Sequence, residues 1–338
     1  MKIERENWKR SYRITIGTPD IITVAPYVFN GTVTKGATPT QQLIDQRTIP
    51  SNARILSNLP EDNEPPRGFS FSLESIRRLQ DGKDANPERT TLKLYNLDED
   101  MENVINQKGC KVFIELGYGG KVSDAYFGDV VDVIVDRRSG DAVYTISCID
   151  GGVDLRNTRL NADYEESMSD KDIIVDMVSR FPSTALGSYG LDDASGRYTV
   201  GGESFAGRLL TNFDLMMARN NLQYARFNGK MVIVPYRLKE GSGDYNKFLK
   251  TNYELTDDLI LSAKKVSDKG KLLIGSEKSN RSPITLSTFY LPIGLGDFFT
   301  VGGDSKVKLH GTYQTNSVKI SAHSHGQNWY SILRGDPV

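Results

Sequence analysis

Two far-separated stretches of this 338-residue chain spell out the same kind of part, short strands broken by turns. The first reads Thr90 to Leu97, Val112 to Tyr118, Phe127 to Ile134 and Val143 to Asp150. The second reads Ile284 to Tyr290, Asp297 to Val301, Lys306 to Leu309, Tyr313 to Ser321 and Trp329 to Leu333. Apolar and polar residues alternate along these runs at the period of a half-buried strand. The expectation is mainly β with a smaller α+β module, the β part forming two antiparallel barrels. Neither stretch carries a reactive constellation, which points to a building part rather than a catalyst.

Between the two lies a segment of different period. Ser169 to Asp172 fits a capping box ahead of Ile173, Ile174, Met177, Val178 and Phe181 at helical spacing. A second helix is expected to open at Ser204 and carry Phe205, Leu209, Leu210, Phe213 and Met217. Asn228-Gly229 then joins two alternating runs, a strong hairpin signal because both turn residues take positive φ. Within the first strand-rich stretch, Asp98 should cap a short helix from Glu99 to Gln107. Residues 18–66 hold seven of the thirteen prolines, which forbids a long helix or central strand. That segment reads as an insertion laid along a neighbouring subunit, or as a mobile loop. Gly241 to Tyr245 reads as a linker.

Charge narrows the function classes. Lys and Arg number 42 against 43 Asp and Glu, so a dedicated nucleic-acid or anionic-membrane binder, with its basic excess, is disfavoured. No window is apolar enough to span a bilayer and the start lacks a signal-peptide pattern, so a soluble cytosolic product is expected. Cys110 and Cys148, both in expected strands, read as buried reduced thiols.

The order of small motifs is more telling. Tyr95-Asn96-Leu97, Gly117-Tyr118, Phe127-Gly128-Asp129 and Asp150-Gly151 in the first stretch, with Gly296-Asp297, Gly311, Tyr313, His323 and Trp329 in the second, resemble the hub proteins of contractile phage tails. These are the late-control gene D type, related to the hub part of type VI secretion spikes. The resemblance covers the chain apart from the 18–66 insertion. It implies a tube-like β-barrel in residues 1–160, an α+β module in 161–240 and a second tube-like barrel in 241–338. It also implies a homotrimer in which six barrels form a ring, hexameric towards the tail tube protein and three-fold towards the central spike protein. Baseplate wedge or tape-measure proteins would be further partners, DNA would pass through the lumen without specific binding, and no cofactor is implied. The place would be the virion's tail baseplate, assembled in the host cytoplasm. A lumen that lets DNA slide should carry more Asp and Glu than Lys and Arg on its inward strands.

Other candidates read more plainly. His323 and His325 stand two apart without an evident third metal ligand, and His310 stands alone. Glu165-Glu166, Asp192-Asp193 and Asp257-Asp258 are sequence neighbours, unlike the facing carboxyls of a glycosidase, and read as solvated turns or caps. Arg77-Arg78 and Arg137-Arg138 read as exposed turn residues. A receptor- or glycan-binding tail-tip protein and a cell-wall hydrolase are the competing functions. Exposed aromatic loops would mark the first and paired acid and base carboxyls the second.

Overall fold

The computed structural model describes residues 9–18, 28–33, 52–62, 68–79, 88–137, 140–182, 184–191, 201–236, 238, 252–265, 283–302 and 310–338. In chain order the strands of the first half are β1 (Arg10–Gly17), β2 (Val28–Val33), β3 (Arg54–Ser57), β4 (Phe71–Arg78), β5 (Arg89–Tyr95), β6 (Lys111–Tyr118), β7 (Lys121–Asp136) and β8 (Val143–Ile149). Those of the middle are β9 (Arg159–Tyr164), β10 (Ala185–Tyr189), β11 (Glu203–Arg208), β12 (Leu222–Phe227) and β13 (Lys230–Pro235). Those of the last part are β14 (Tyr253–Leu255), β15 (Ile260–Lys265), β16 (Ile284–Phe289), β17 (Phe298–Val301), β18 (Gly311–His323) and β19 (Trp329–Pro337). The helices are α1 (Glu99–Ile105), α2 (Gly152–Asn157), α3 (Asp170–Arg180) and α4 (Leu209–Arg219). The protein is mainly β, as the alternation predicts.

Thirteen strands of the two ends join in one sheet, whose path runs β15-β16-β19-β18-β4-β5-β8-β7-β6-β1-β3, with β17 beside β18 and β14 beside β17. The seam between the halves is the antiparallel pair β4–β18, where Ile320 faces Ser75 and Ser321 faces Glu74. Alternation sends one face of these strands inward. Phe71, Leu73, Leu92, Leu94, Ile146, Leu286, Val318, Ile320 and Leu333 thereby share one apolar cluster that runs through both halves.

The two halves repeat one topology. Six strands of the first lie in the order β4-β5-β8-β7-β6-β1, and six of the second in the order β15-β16-β19-β18-β17-β14. Rank for rank along the chain these orders are the same. The register repeats as well: β7 bulges against β8 between Val130 and Asp132, and β18 bulges against β19 between Thr315 and Ser317. Val130 N–H donates to Cys110 O at 2.8 Å, and Thr315 N–H donates to Asp297 O at 2.9 Å, at the corresponding places. One difference stands out, since β1 meets β6 antiparallel while β14 meets β17 parallel.

The middle elements build their own core on α3 and α4. Ile173, Ile174, Met177, Val178, Phe213, Met216, Met217 and Tyr224 are buried together there. Ser169 caps α3 in the capping box its sequence predicts, and Asp98 caps α1 by accepting from Met101 N–H at 2.8 Å. Asn228 and Gly229 take φ of 51° and 75° in the β12–β13 turn, as the hairpin signal requires. The helix expected to start at Ser204 starts instead at Leu209. Glu203–Arg208 is the strand β11, paired antiparallel with β9, and Gly207 at φ +101° stops helical continuation.

Where it is described, the 18–66 segment contributes two short strands and no helix. β3 adds to β1 and β2 runs parallel to β9, so these pieces extend the chain's own sheets as end strands. Pro60 lies in the turn after β3, while Pro19, Pro26, Pro39, Pro50, Pro65 and Pro66 fall outside the described residues, as do Arg138, Asp192-Asp193, Gly241–Tyr245 and Lys306–Leu309.

Candidate assembly interface

The family-pattern residues fall into three places rather than one cleft. The first is the seam. Trp329 is buried and meets Phe71 edge-on with centroids 6.2 Å apart, while Tyr118 Oη donates to Trp329 O at 3.4 Å. Arg10 lies over the Trp329 ring at 5.4 Å and donates to the carbonyl oxygens of His323 at 2.8 Å and Gln327 at 3.3 Å. One cation thus holds β1 of the first unit to the β18–β19 turn of the second. Gly117 permits the tight β6–β7 hairpin, because a Cβ there would sit 1.9 Å from Lys121 O. His323 is half-buried with Nε2 3.9 Å from Glu74, and Glu74 also accepts from Ser321 and pairs with Lys319 at 3.2 Å across the seam.

The second place is a buried ionic clamp under the middle elements. Asp150 holds Arg226 Nε at 3.0 Å and Arg77 Nη1 at 3.6 Å, and it accepts from Gly229 N–H at 3.3 Å. Arg77 further donates to Asn228 Oδ1 at 3.0 Å and stacks over Tyr126 at 4.5 Å and Phe227 at 4.9 Å. Arg77 is therefore a buried strand residue at 7% exposure, not the exposed turn residue its basic neighbour suggests. Gly151 has φ +65°, and a Cβ on it would fall 1.8 Å from Arg226 Nη1. The pair Asp150-Gly151 fastens the β12–β13 hairpin to the end of β8 and, through Arg77, to β4.

The third place comprises local turns. Asn96, at φ 52°, accepts from Ala142 N–H at 2.9 Å and donates to Asp141 at 3.0 Å, which locks Tyr95 and Leu97 at the end of β5. Asp297 Oδ2 accepts from Gly294 N–H at 2.7 Å and Gly296 N–H donates to Thr315 O at 2.9 Å, shaping the entry to β17. Tyr313, two residues after Gly311, stacks on Phe299 with centroids 5.6 Å apart, and Gly128 lies against Tyr126. These residues hold turns and seams; none is placed beside another as an acid, base or nucleophile. Burial pushes the Cys110 thiol up to about 12 and the Cys148 thiol higher still, which leaves both unreactive.

Against this well-tied interior, two strand segments present apolar side chains to solvent. The last part of β7, paired with β8 on one side, exposes Val131 at 41%, Ile134 at 60% and Val135 at 37%. At the far end of the sheet β15 pairs with β16 alone among the described strands and exposes Leu261 at 49%. In the repeat, Ile320 of β18 takes the place of Val135 and is buried at 5% exposure, because β4 covers it. The sequence shows these valines and isoleucines only as strand residues. Their exposure follows from which strand lies next to them, a fact that pairing alone supplies.

On β4, β5, β8, the last part of β7, β15, β16, β18 and β19, the face turned away from the apolar cluster carries Glu74, Asp132, Asp136 and Asp336 beside Arg78, Arg89, Lys93, Lys264, Lys319 and Arg334.

No protein-family model matches the chain, and no curated protein sequence matches it. Solved structures do. The E. coli c3393 protein is a type VI secretion component described as structurally similar to the T4 bacteriophage tail proteins gp27 and gp5. It superposes with a TM-score of 0.51 at 12% identity over 80% of this chain and 74% of its own. The 43 kDa tail protein of prophage MuSo2 from Shewanella oneidensis gives a TM-score of 0.51 at 9% identity, covering 84% of this chain and 95% of its own. A tail protein from Neisseria meningitidis MC58 gives 0.50 at 10% identity, covering 79% and 91%. The fold is that of these tail proteins. No helix among the described residues is long and apolar enough to cross a membrane.

Proposed function

We propose that the chain is a structural component of a phage-type contractile tail, the baseplate hub that joins a six-fold tube to a three-fold spike. The observation that carries this reading is the internal repeat. Two units of one topology stand side by side in one sheet, so three copies supply six equivalent positions around an axis. Towards the tube each unit counts once, giving a six-fold surface. Towards the spike the middle elements, present once per chain, give a three-fold one. The role is mechanical rather than catalytic: match symmetries, seat the spike, and leave a lumen for DNA. A face of mixed charge would let a polyanion pass without the multiple phosphate contacts that hold it in place. Solved tail proteins of the same fold support the assignment.

The test is the mass of the purified chain, alone and mixed with a trimeric spike protein. The reading expects a species of three times 37.6 kDa in at least one of these conditions. A persistent monomer that binds cell-surface sugars would replace the hub with a receptor-binding role.

A further inference from the structure

The outward face of the large sheet sorts its charges by row. Pairing across five neighbouring strands sets Lys264 beside Thr285, Thr285 beside Arg334, Arg334 beside Ser317 and Ser317 beside Arg78. Directly opposed residues point to the same face, so these five side chains stand in one line. Its three cations are exposed, and the line crosses four strand intervals, about 19 Å at about 4.8 Å each. Arg78 pairs with Glu88 at 3.4 Å, while Lys264 and Arg334 have no ion pair among the described residues. Asp336, the next outward residue on β19, accepts from Asn316 at 2.6 Å. Glu74 and Asp132 fall in a different row, Glu74 to Thr91 to Ser147 to Asp132. Glu74 lies four residues along β4 from Arg78, about 14 Å away.

The two rows hold equivalent places in the repeat. Counted from the shared bulge, Lys264 stands where the first unit has Glu74, and Thr285 where it has Thr91. Arg334 stands where it has Ser147, and Ser317 where it has Asp132. The same strand pairing thus carries two carboxylates in one unit and two cations in the other, so the fold itself does not call for cations here. We propose that the row of Lys264, Arg334 and Arg78 grips the phosphate backbone of duplex DNA, one contact line per chain. All five side chains in the line donate hydrogen bonds, the arginines in the fork that suits a phosphate. A duplex offers a negative charge every about 1.7 Å of its axis, so each cation finds one. No base edge is read, and contact is confined to one level of a face that is otherwise mixed in charge. The choice of DNA rests on the tail reading; the sorting of charge into rows does not.

The test is anisotropy of a short labelled DNA duplex titrated with the full chain. Three phosphate contacts should weaken binding about 40-fold between about 50 and about 200 mM salt. The variant Lys264→Gln, Arg334→Gln, Arg78→Gln should lose that salt dependence and bind weakly at both. Lys108→Gln, Arg156→Gln, Lys230→Gln removes three exposed cations elsewhere and should keep the behaviour of the unsubstituted chain. Unfolding midpoints check that both variants fold. Equal DNA binding by the row variant, or none by the unsubstituted chain at low salt, overturns the proposal. So does poly-glutamate displacing the duplex at equal charge, which would assign the row to an acidic protein. Native mass is read in parallel. A trimer indifferent to DNA sinks the row and leaves the hub reading standing; a persistent monomer that binds DNA through the row does the reverse.

Discussion

Replacing Asp150 with Asn probes the clamp that ties the middle elements to the large sheet. The side chain is 7% exposed, lies 3.0 Å from Arg226 and 3.6 Å from Arg77, and these arginines are 8% and 7% exposed. The amide keeps the shape but removes the anion that lies between two buried guanidinium groups. Breaking a buried ion pair in this way costs about 3 to 5 kcal/mol. The rings of Tyr126 and Phe227 face Arg77 with or without the carboxylate, and they keep the loss at the low end of that range. A net loss of about 3 kcal/mol remains, which at about 2 °C per kcal/mol for a chain of this size lowers the midpoint by about 6 °C. Calorimetry of the variant and the unsubstituted chain gives the number. An Asp150→Leu, Arg226→Met double change should recover part of the loss, because it removes the nearer of the two arginines together with the carboxylate and leaves Arg77 in place. A single Asp150→Asn change costing less than about 1 kcal/mol would refute the clamp, since an exposed pair has that magnitude.

Further outcomes follow from other parts of the fold. Gly151→Ala places a Cβ against the Arg226 guanidinium at a positive φ and should cost about 2 kcal/mol or more, read as a lower unfolding midpoint. Ser169→Ala removes the hydroxyl that accepts from Asp172 N–H at 3.2 Å and should cost about 1 kcal/mol in a denaturant titration. At Asp62, burial works to raise the carboxyl pKa, but the Arg13 guanidinium at 2.7 Å and the Ser57 hydroxyl outweigh it and hold the value below the ordinary range. A depressed carboxylate stabilises the fold above its unfolded pKa and loses that contribution as pH falls through the folded value. Asp62→Asn should therefore flatten the acid limb of stability against pH; an unchanged limb would assign it to other groups.

How much of this was legible from residues alone varies with the range of the interaction. Local devices read well: the Asp98 and Ser169 caps and the Asn228-Gly229 turn depend on neighbours within four positions. The helix expected from Ser204 failed because Phe205 and Leu209 satisfy a helical period while Gly207 and pairing with β9 favour a strand. β14 and β15 went unread, since three residues of β14 and the charged run Lys264-Lys265 give little alternation. The kinship of the halves was visible as a run of strands, but its proof is the shared bulge and strand order, which few matching residues announce. Leu92 and Leu286 are one such match. Asp150-Gly151 stood out in the sequence as a motif, and its partners Arg77 and Arg226 did not, because contacts across 73 and 76 positions leave no local pattern.

The central claim is that two like units per chain imitate six-fold symmetry in a three-chain ring. End-on electron micrographs of the assembled particle test it directly. Six wall lobes around an open bore are expected, with strict three-fold repetition once the middle elements are in view. A ring with five or eight lobes, or one whose two units lie at different radii, would contradict it.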